Sequence, residues 1–171
     1  LTLEGKVCMD IGASTGGFTD CMLQNGAVKV YAIDVGYGQL AWKLRTDERV
    51  VNLERTNFRY VTEEQIPEPV DFASVDVSFI SLRIILPVLR ERLADGGQAV
   101  CLIKPQFEVG AGQTVKGVVK DDAIRQEAVD RVLRYMENEG LECLGVTPAA
   151  IKGPKGNQEY LAYWKKVSSK A

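Results

Sequence analysis

The chain has 171 residues, of which 46% are hydrophobic and 26% charged, a balance that predicts a single globular domain with one core. Its lack of histidine excludes Ser-His-Asp triads, histidine bases and most catalytic zinc sites, and its net charge of -2 is not that of a typically basic nucleic-acid-binding domain. No apolar run approaches the roughly 20 residues of a membrane span and no signal-peptide pattern opens the chain, so we expect a cytoplasmic protein. The 4 cysteines form no Cys-x-x-Cys pair, so we expect them to be buried and unbridged.

Short apolar, β-branched runs alternate along the chain with stretches of helical periodicity. The pattern predicts three helices, at 16–26, 78–97 and 121–140. It also predicts about seven strands, at 6–11, 28–34, 49–54, 71–79, 98–104, 141–149 and 159–164. Alternating strands and helices are typical of an α/β fold, in which helices cover both faces of a mostly parallel sheet.

A glycine-rich turn, "DIGASTGGF" at 10–18, follows the first predicted strand. It is either a tight structural turn or a place where a ligand approaches the main chain. Its Gly-x-x-x-Gly-Gly spacing differs from the Gly-x-Gly-x-x-Gly pattern of dinucleotide-binding proteins and resembles the turn of S-adenosylmethionine-dependent methyltransferases. That resemblance implies contacts of this turn with the cofactor, with the acid either orienting the turn or meeting the methionine ammonium. The residues concerned are Asp10, Gly12, Ser14, Gly16, Gly17 and Phe18.

Two later strand ends carry polar residues suited to an adenosine group. Asp34 closes the second predicted strand, where a carboxylate can accept both ribose hydroxyls, and Val35 follows it. In the same methyltransferase comparison, Asn57 and Phe58, after the third strand, face the adenine edge. The alternative for Asn57 is an ordinary turn residue.

Three ionisable residues are predicted at one edge of the sheet. Asp76 and Lys104 end the fourth and fifth strands. Glu159 begins the last strand, and it reaches the same edge if that strand is antiparallel, as in the common methyltransferase sheet. Each residue alone has an ordinary explanation, because strand-end lysines extend to solvent and acids cap helices. Because the three residues share one edge, we expect a catalytic site beside the cofactor. Asp76 is also expected to contact the cofactor itself.

Five blocks in order resemble one family over nearly the whole chain: "VCMDIGASTGGFTDCMLQNGA", "YAIDVGYGQL", "SVDVSFISL", "LIKPQFE" and "KGNQEYL". They are similar to the haemolysin A (TlyA-type) ribosomal RNA methyltransferases, a branch of the FtsJ-like ribose 2′-O-methyltransferases. The resemblance implies a Rossmann-like methyltransferase fold, a seven-stranded sheet with an antiparallel last strand, and methyl transfer from S-adenosylmethionine to a ribose 2′-hydroxyl, typically of cytidine in ribosomal RNA.

The family's Lys-Asp-Lys-Glu tetrad is matched here by Asp76, Lys104 and Glu159 in its last three positions. The first lysine would lie upstream of Leu1, as would the S4-like RNA-binding domain of full-length relatives. We therefore expect residues 1–171 to form one catalytic domain of the FtsJ-like type, with ribosomal RNA or a ribosomal subunit as its partner.

The resemblance leaves two roles open for Lys104. As a neutral amine it takes the proton of the ribose hydroxyl, and as an ammonium it only positions that hydroxyl. Neither version requires a metal. The glycine-rich and lysine-containing segments 105–120 and 152–157 are suited to RNA phosphates, although a solvated surface explains their lysines equally well. Arg83 could add a phosphate contact or be a plain surface arginine.

Four other readings differ in their sequence expectations. A small-molecule O-methyltransferase shares the cofactor half but needs no RNA-facing groove. A base N-methyltransferase usually has a Pro-Pro-aromatic block after the fourth strand, whereas this chain has "DVSF". A dehydrogenase is disfavoured by the glycine spacing. A non-catalytic RNA-binding or haemolysin-like protein would not depend on Lys104.

Overall fold

A computed structural model describes residues 2–110 and 112–167. It contains one seven-stranded sheet in the order β3-β2-β1-β4-β5-β7-β6. The strands are β1 (Val7–Ile11), β2 (Lys29–Ile33), β3 (Val50–Leu53), β4 (Val70–Val75), β5 (Leu93–Ile103), β6 (Leu141–Pro148) and β7 (Tyr160–Lys166). Strands β1 to β5 pair in parallel, and β7 pairs antiparallel with both β5 and β6. The mostly parallel sheet with an antiparallel last strand is therefore confirmed.

Four α-helices connect these strands: α1 (Gly17–Gln24), α2 (Trp42–Arg45), α3 (Leu82–Arg92) and α4 (Asp122–Asn138). Three single 3₁₀ turns lie at Phe58–Tyr60, Pro105–Phe107 and Pro154–Gly156. Among the residues that the structure describes, no helix is both long and apolar enough to cross a membrane.

The sheet has a hydrophobic cluster on each face, because successive side chains of a strand point to opposite sides. Met9 and Tyr31 belong to the cluster under α3 and α4, whereas Cys8 and Val30, their neighbours in the chain, belong to the cluster under α1. Helix α4 contributes Val132 and Met136, both fully buried, to the first cluster. Helices on both faces are therefore also confirmed.

Three local expectations are corrected by the structure. Helix α2 was not predicted, because four residues are too few to show a helical period. The predicted helix 78–97 is helical only over Leu82–Arg92. Strand β5 begins at Leu93 rather than at 98, because Leu93 pairs with Val70 before the register shifts between Leu93 and Gln98. Gly96, with a φ of 76°, lies within this interval.

The cysteines are free, as expected, but only two of them are buried. Burial raises the pKa of the Cys8 and Cys101 thiols to about 12, so neither is a thiolate near neutral pH. Cys21 and Cys143 are exposed, which corrects the expectation of four buried cysteines. Cys21 lies on the outer side of α1, and Cys143 lies on β6, which is an edge strand.

Candidate active site

A cavity of about 610 Å³ opens at the carboxyl ends of the parallel strands. In an open α/β sheet this edge is where ligands bind. The lining includes eight residues that the sequence predicted for the site: Gly12, Ser14, Asp34, Val35, Asn57, Phe58, Asp76 and Lys104. The predicted residues Asp10, Gly16, Gly17, Phe18 and Glu159 lie outside the lining.

Two glycines of the 10–18 turn, Gly12 and Gly16, occupy positions where a side chain would clash with neighbouring atoms. Gly12 has a φ of 81°, and a Cβ placed there would stand 1.9 Å from the backbone carbonyl oxygen of Asp76. Gly16 has a φ of 98°, and its Cβ would stand 2.2 Å from the side chain of Leu44 on α2. The structure therefore gives Gly12 a steric reason to be a glycine, and Gly12 also lines the cavity.

Asp10 is fully buried and faces the start of α1 rather than the cavity. Its Oδ2 accepts hydrogen bonds from the Thr19 amide at 3.0 Å and the Thr19 hydroxyl at 2.7 Å, and its Oδ1 accepts one from the Ser74 hydroxyl at 3.1 Å. Burial raises the pKa of Asp10, and these hydrogen bonds oppose that shift. The geometry fits the first predicted role, orientation of the turn, and gives no support to a contact with the methionine ammonium.

The Asp34 carboxylate stands in the cavity wall and ties two loops together. Its Oδ2 accepts a hydrogen bond from the Ser14 amide and its Oδ1 accepts one from the Gly36 amide, both at 2.7 Å. A carboxylate offers about four acceptor sites, so each oxygen retains capacity for a ligand hydroxyl. Asp34 is thus both fixed in place and able to accept further hydrogen bonds.

Asn57 has the ordinary turn role that the sequence left open, and it also lines the cavity. Its Oδ1 accepts a hydrogen bond from the Arg59 amide at 3.0 Å, as an ordinary capping residue does at the start of a 3₁₀ turn. The residue also lines the cavity, next to the buried ring of Phe58. This hydrogen bond involves the side-chain oxygen of Asn57 and does not involve its side-chain nitrogen.

Asp76 and Lys104, which are 28 positions apart in the chain, meet at the mouth of this cavity. The Lys104 ammonium forms an ion pair with Oδ1 of Asp76 and donates a hydrogen bond to the Ser78 hydroxyl at 3.1 Å. The side chain of Lys104 is 11% exposed and that of Asp76 is 34% exposed, so solvent screens this pair only in part. The parallel pairing of β4 with β5 brings the two strand ends together.

Glu159 reaches the same edge but has a different partner. Ile103 pairs with Tyr160 across β5 and β7, so the next residues outward, Lys104 and Glu159, lie opposite each other. The Glu159 carboxylate, however, accepts a hydrogen bond from Nε2 of Gln106 at 2.8 Å. Within residues 2–110 and 112–167, no ion pair of 4.0 Å or less joins Glu159 to Lys104. The structure thus pairs Asp76 with Lys104 and holds Glu159 apart.

Several cavity residues were not predicted from the sequence. Ser78 touches Lys104, and its position two residues beyond Asp76 is a signal that could have been used. Phe79 is 90% exposed, has a φ of 64° and packs against the ring of Phe107 at a centroid distance of 4.9 Å. A positive φ is uncommon for an aromatic residue, and no pattern in the sequence indicates it.

The two lysine-containing loops near the cavity are joined to each other. Lys155 donates a hydrogen bond to the carbonyl of Lys116 at 3.0 Å. The buried side chain of Asn157 accepts one from the Val119 amide at 3.1 Å and donates one to the Gly117 carbonyl at 2.9 Å. Lys120 and Lys152, like Lys116 and Lys155, are exposed. The two loops are therefore joined, and we call their four exposed lysines the basic wall. Arg83 lies on the exposed side of α3, 6.0 Å from the Tyr135 ring.

Comparison with known proteins decides the family. The family model of FtsJ-like methyltransferases matches residues 1–166. The chain belongs to this family. It is 46% identical over 172 residues to the 16S/23S rRNA (cytidine-2′-O)-methyltransferase TlyA of Mycobacterium tuberculosis, covering 100% of this chain and 64% of that protein. It is 44% identical to Hemolysin A of Brachyspira hyodysenteriae over 166 residues, covering 96% of this chain and 69% of that protein.

A solved structure supports the same assignment. It is described as a "putative hemolysin" from Streptococcus thermophilus and matches with a TM-score of 0.95 and 48% identity. The match covers 99% of this chain and 62% of that protein. The chain thus spans less than two thirds of the tuberculosis and streptococcal proteins. The resemblance inferred from the five sequence blocks is confirmed for this FtsJ-like domain.

Proposed function

We propose that this FtsJ-like domain methylates a ribose 2′-hydroxyl of ribosomal RNA, with cytidine as the target nucleoside, using S-adenosylmethionine. The observation that carries the proposal is the ion pair of Asp76 and Lys104 at the mouth of a cavity whose wall includes the glycine turn. The family, and a relative named as an rRNA cytidine-2′-O-methyltransferase, support the same reaction. A protein that acts on ribosomal RNA would work in the cytoplasm.

The residues of the cavity fit S-adenosylmethionine. Asp34 presents a fixed carboxylate with free acceptor capacity to the two ribose hydroxyls, and Asn57 and Phe58 lie farther along the wall for the adenine. Gly12 lines the cavity with its main chain, and the lack of a side chain there allows the close approach of the Asp76 carbonyl. A volume of about 610 Å³ lies within the ordinary range of small-molecule sites.

The chemistry divides between the cofactor and the chain. When bound, S-adenosylmethionine supplies an electrophilic methyl group. Lys104 must first release the proton of its ammonium to solvent and become a neutral amine. Its Nζ would then receive the proton of the ribose hydroxyl as the oxygen bonds to the methyl carbon, while the electrons of the methyl–sulfur bond would return to the cofactor's sulfur. Asp76 balances the ammonium charge that results, and Ser78 helps to fix the direction of the amine. Glu159 adds a second carboxylate at this edge.

The basic wall of Lys116, Lys120, Lys152 and Lys155 supplies phosphate contacts for the RNA strand. Its lysines lie on loops that flank Lys104 and Glu159, so a strand held there would present one ribose to the cavity. A nucleotide must leave its stack for its 2′-hydroxyl to reach the methyl group, and phosphate contacts on both sides favour that state. Arg83 is a surface residue without a role in this proposal.

Methyl transfer to ribosomal subunits tests the function. Wild type and Lys104→Ala are compared with a tritiated methyl group, followed by digestion to nucleosides, and calorimetry measures S-adenosylmethionine binding. We expect Lys104→Ala to lower transfer at least about 100-fold, the scale of a lost general base, while binding the cofactor within about threefold of wild type. Lys165→Ala is the matched control, because this exposed lysine lies on β7 away from the cavity.

Three outcomes would contradict the proposal. Equal transfer by wild type and Lys104→Ala would remove this lysine from the reaction. Label in a base rather than in a ribose would contradict the 2′-hydroxyl as acceptor. Methylation of a free metabolite with no transfer to RNA would favour a small-molecule O-methyltransferase instead.

A further inference from the structure

The Glu159 carboxylate lies in a close-fitting cradle formed by two other segments. Gln106, in the 3₁₀ turn that follows β5, donates a hydrogen bond from Nε2 to Oε2 of Glu159 at 2.8 Å. On the other side, a Cβ placed on Gly153 would stand 2.2 Å from the same oxygen. Glu159 is 6% exposed, so its orientation is set by these neighbours and not by solvent.

The amide of Gln106 can be oriented in only one way. Turning it over would place its carbonyl oxygen against the carboxylate, where two acceptors repel each other. In the observed orientation, Oε1 of Gln106 is buried and has no hydrogen-bond partner among the described residues. An unpaired buried acceptor is costly, and native proteins contain few of them. In this orientation Nε2 of Gln106 bonds to Glu159, while Oε1 of the same amide is left without a hydrogen bond.

Lys104, a stronger partner for a carboxylate than an amide, is placed opposite Glu159 by the strand register. Lys104 and Glu159 lie opposite each other at the end of the β5–β7 pair, where side chains share a face of the sheet. Lys104 instead turns towards β4, to Asp76 and Ser78. The carboxylate of Glu108, the other acid next to this turn, is engaged by the Ser81 hydroxyl and the Leu82 amide. Two acids are therefore placed beside the amine, Asp76 just after β4 and Glu159 just before β7.

We propose that Gln106 is a positioning residue that holds the Glu159 carboxylate away from Lys104, so that Asp76 is the carboxylate partner of the amine. A second carboxylate against Lys104 would stabilise the ammonium and oppose its action as a base. The role rests on the proposed function, because it concerns the lysine that receives the hydroxyl proton.

The pH dependence of Gln106→Met tests this role, because methionine has a similar length and cannot donate to Glu159. We expect the rising limb of the plot of kcat against pH to move to higher pH in this variant, with kcat at pH 7.5 lowered roughly tenfold and S-adenosylmethionine affinity changed less than about twofold. Gln98→Met is the matched control, since Gln98 is equally half-buried and bonds Tyr163 away from the cavity. It should keep the wild-type profile.

A double variant separates positioning from simple packing. The double variant Gln106→Met/Glu159→Gln has no carboxylate at position 159 that could approach Lys104. The pH shift seen in Gln106→Met should therefore disappear. An unshifted profile in Gln106→Met, or the same shift in the double variant, would overturn the proposal. Failure of the proposed function gives a different result, namely no ribose methylation by wild type at any pH.

Crystal structures of wild type and Gln106→Met test the geometry even without activity. We expect the Glu159 carboxylate to approach Nζ of Lys104 within about 4 Å in the variant, the distance of an ion pair, and to remain beyond it in wild type. The same position of Glu159 in both structures would overturn the proposal whatever the kinetics show.

Discussion

At the scale of single residues, several positions both line the cavity and stabilise the fold. Gly12 lines the cavity and also lets β1 pack against the carbonyl of Asp76. Asp34 fixes two loops through the amides of Ser14 and Gly36 and keeps acceptor capacity for a ligand. The Asp10 carboxylate holds the first turn of α1 to the sheet through hydrogen bonds from Thr19 and Ser74. A substitution at such positions therefore changes stability and binding together.

Gly12→Ala should be far more damaging than a matched glycine substitution. Its methyl group would overlap the Asp76 carbonyl oxygen, and its φ of 81° strains any L side chain, so we expect unfolding to become easier by more than about 3 kcal/mol. Gly5→Ala is the control, because Gly5 has a φ of 73° but has nothing within 4 Å of its Cβ position. It should cost only about 1–2 kcal/mol.

Urea unfolding monitored by circular dichroism measures both values. Equal losses of stability in the two variants would show that backbone strain, and not the approach of Asp76, is the reason for a glycine at position 12.

At the scale of elements, loop segments are positioned by a few hydrogen bonds to the ends of regular structure. Glu108, just after the 3₁₀ turn Pro105–Phe107, accepts hydrogen bonds from Ser81 and the Leu82 amide at the start of α3. Its own carbonyl accepts one from Arg131 on α4. The turn that carries Gln106 is therefore tied to two helices, which gives the cradle of Glu159 a rigid base.

Glu108 should make stability depend on pH in a defined direction. Burial raises its pKa above the ordinary 4.5, and the hydrogen bonds from Ser81 and Leu82 and the charges of Arg131 and Arg83 oppose that shift. The folded state then holds the proton at pH values where the unfolded state has lost it. Stability from this group therefore falls as pH rises from the ordinary value to the raised one, and is constant above it.

Glu108→Gln removes this titration while it keeps an oxygen for the Leu82 amide. The free energy of unfolding of wild type minus that of the variant should decrease as pH rises above about 4.5 and then level off. Urea unfolding of both proteins at a series of pH values gives this difference, and the effect of Asp10 cancels because both proteins contain it. A difference that increases with pH would mean that the pKa of Glu108 is lowered instead.

At the scale of the whole molecule, one sheet edge collects groups from nearly the full length of the chain. The cavity takes residues from Ile11 to Lys104, and the last strand adds Glu159 beside it. Strand order 3-2-1-4-5-7-6 places β1 and β4 in the interior of the sheet, so each has a hydrogen-bonded neighbour on both sides. The assignment of residues 1–171 to a single catalytic domain stays a prediction.

S-adenosylmethionine binding should therefore stabilise the whole fold. At 100 times its dissociation constant a ligand adds about 2.7 kcal/mol, which corresponds to a rise in Tm of roughly 5–10 °C for a domain of this size. Asp34→Ala should show a much smaller rise at the same ligand concentration, because it loses the carboxylate for the ribose hydroxyls. Asp95→Ala, which changes an exposed acid on β5, is the control.

Differential scanning fluorimetry with S-adenosylmethionine, its demethylated product and NADH measures these shifts. A rise in Tm with NADH and none with S-adenosylmethionine would contradict the proposed cofactor and favour a dehydrogenase.

The sequence by itself determined the fold class and the residues at the strand ends. Hydrophobic periodicity and glycine position are local properties, so the seven strands, the turn at 10–18 and the strand-end position of Asp34 could be predicted from them. Asn57 was expected only from the methyltransferase resemblance. The placement of Asp76 and Lys104 also followed, because parallel strands bring their carboxyl ends to one edge.

Only the tertiary structure decided which side chains touch. Asp10 faces α1, Glu159 bonds to Gln106 and not to Lys104, and Phe79 has a positive φ. These features depend on where neighbouring segments provide space and hydrogen-bond donors. Gly153, for example, provides the space beside Glu159. The sequence pattern places a residue at an edge, but the direction of its side chain is set by contacts between segments that are distant in the chain.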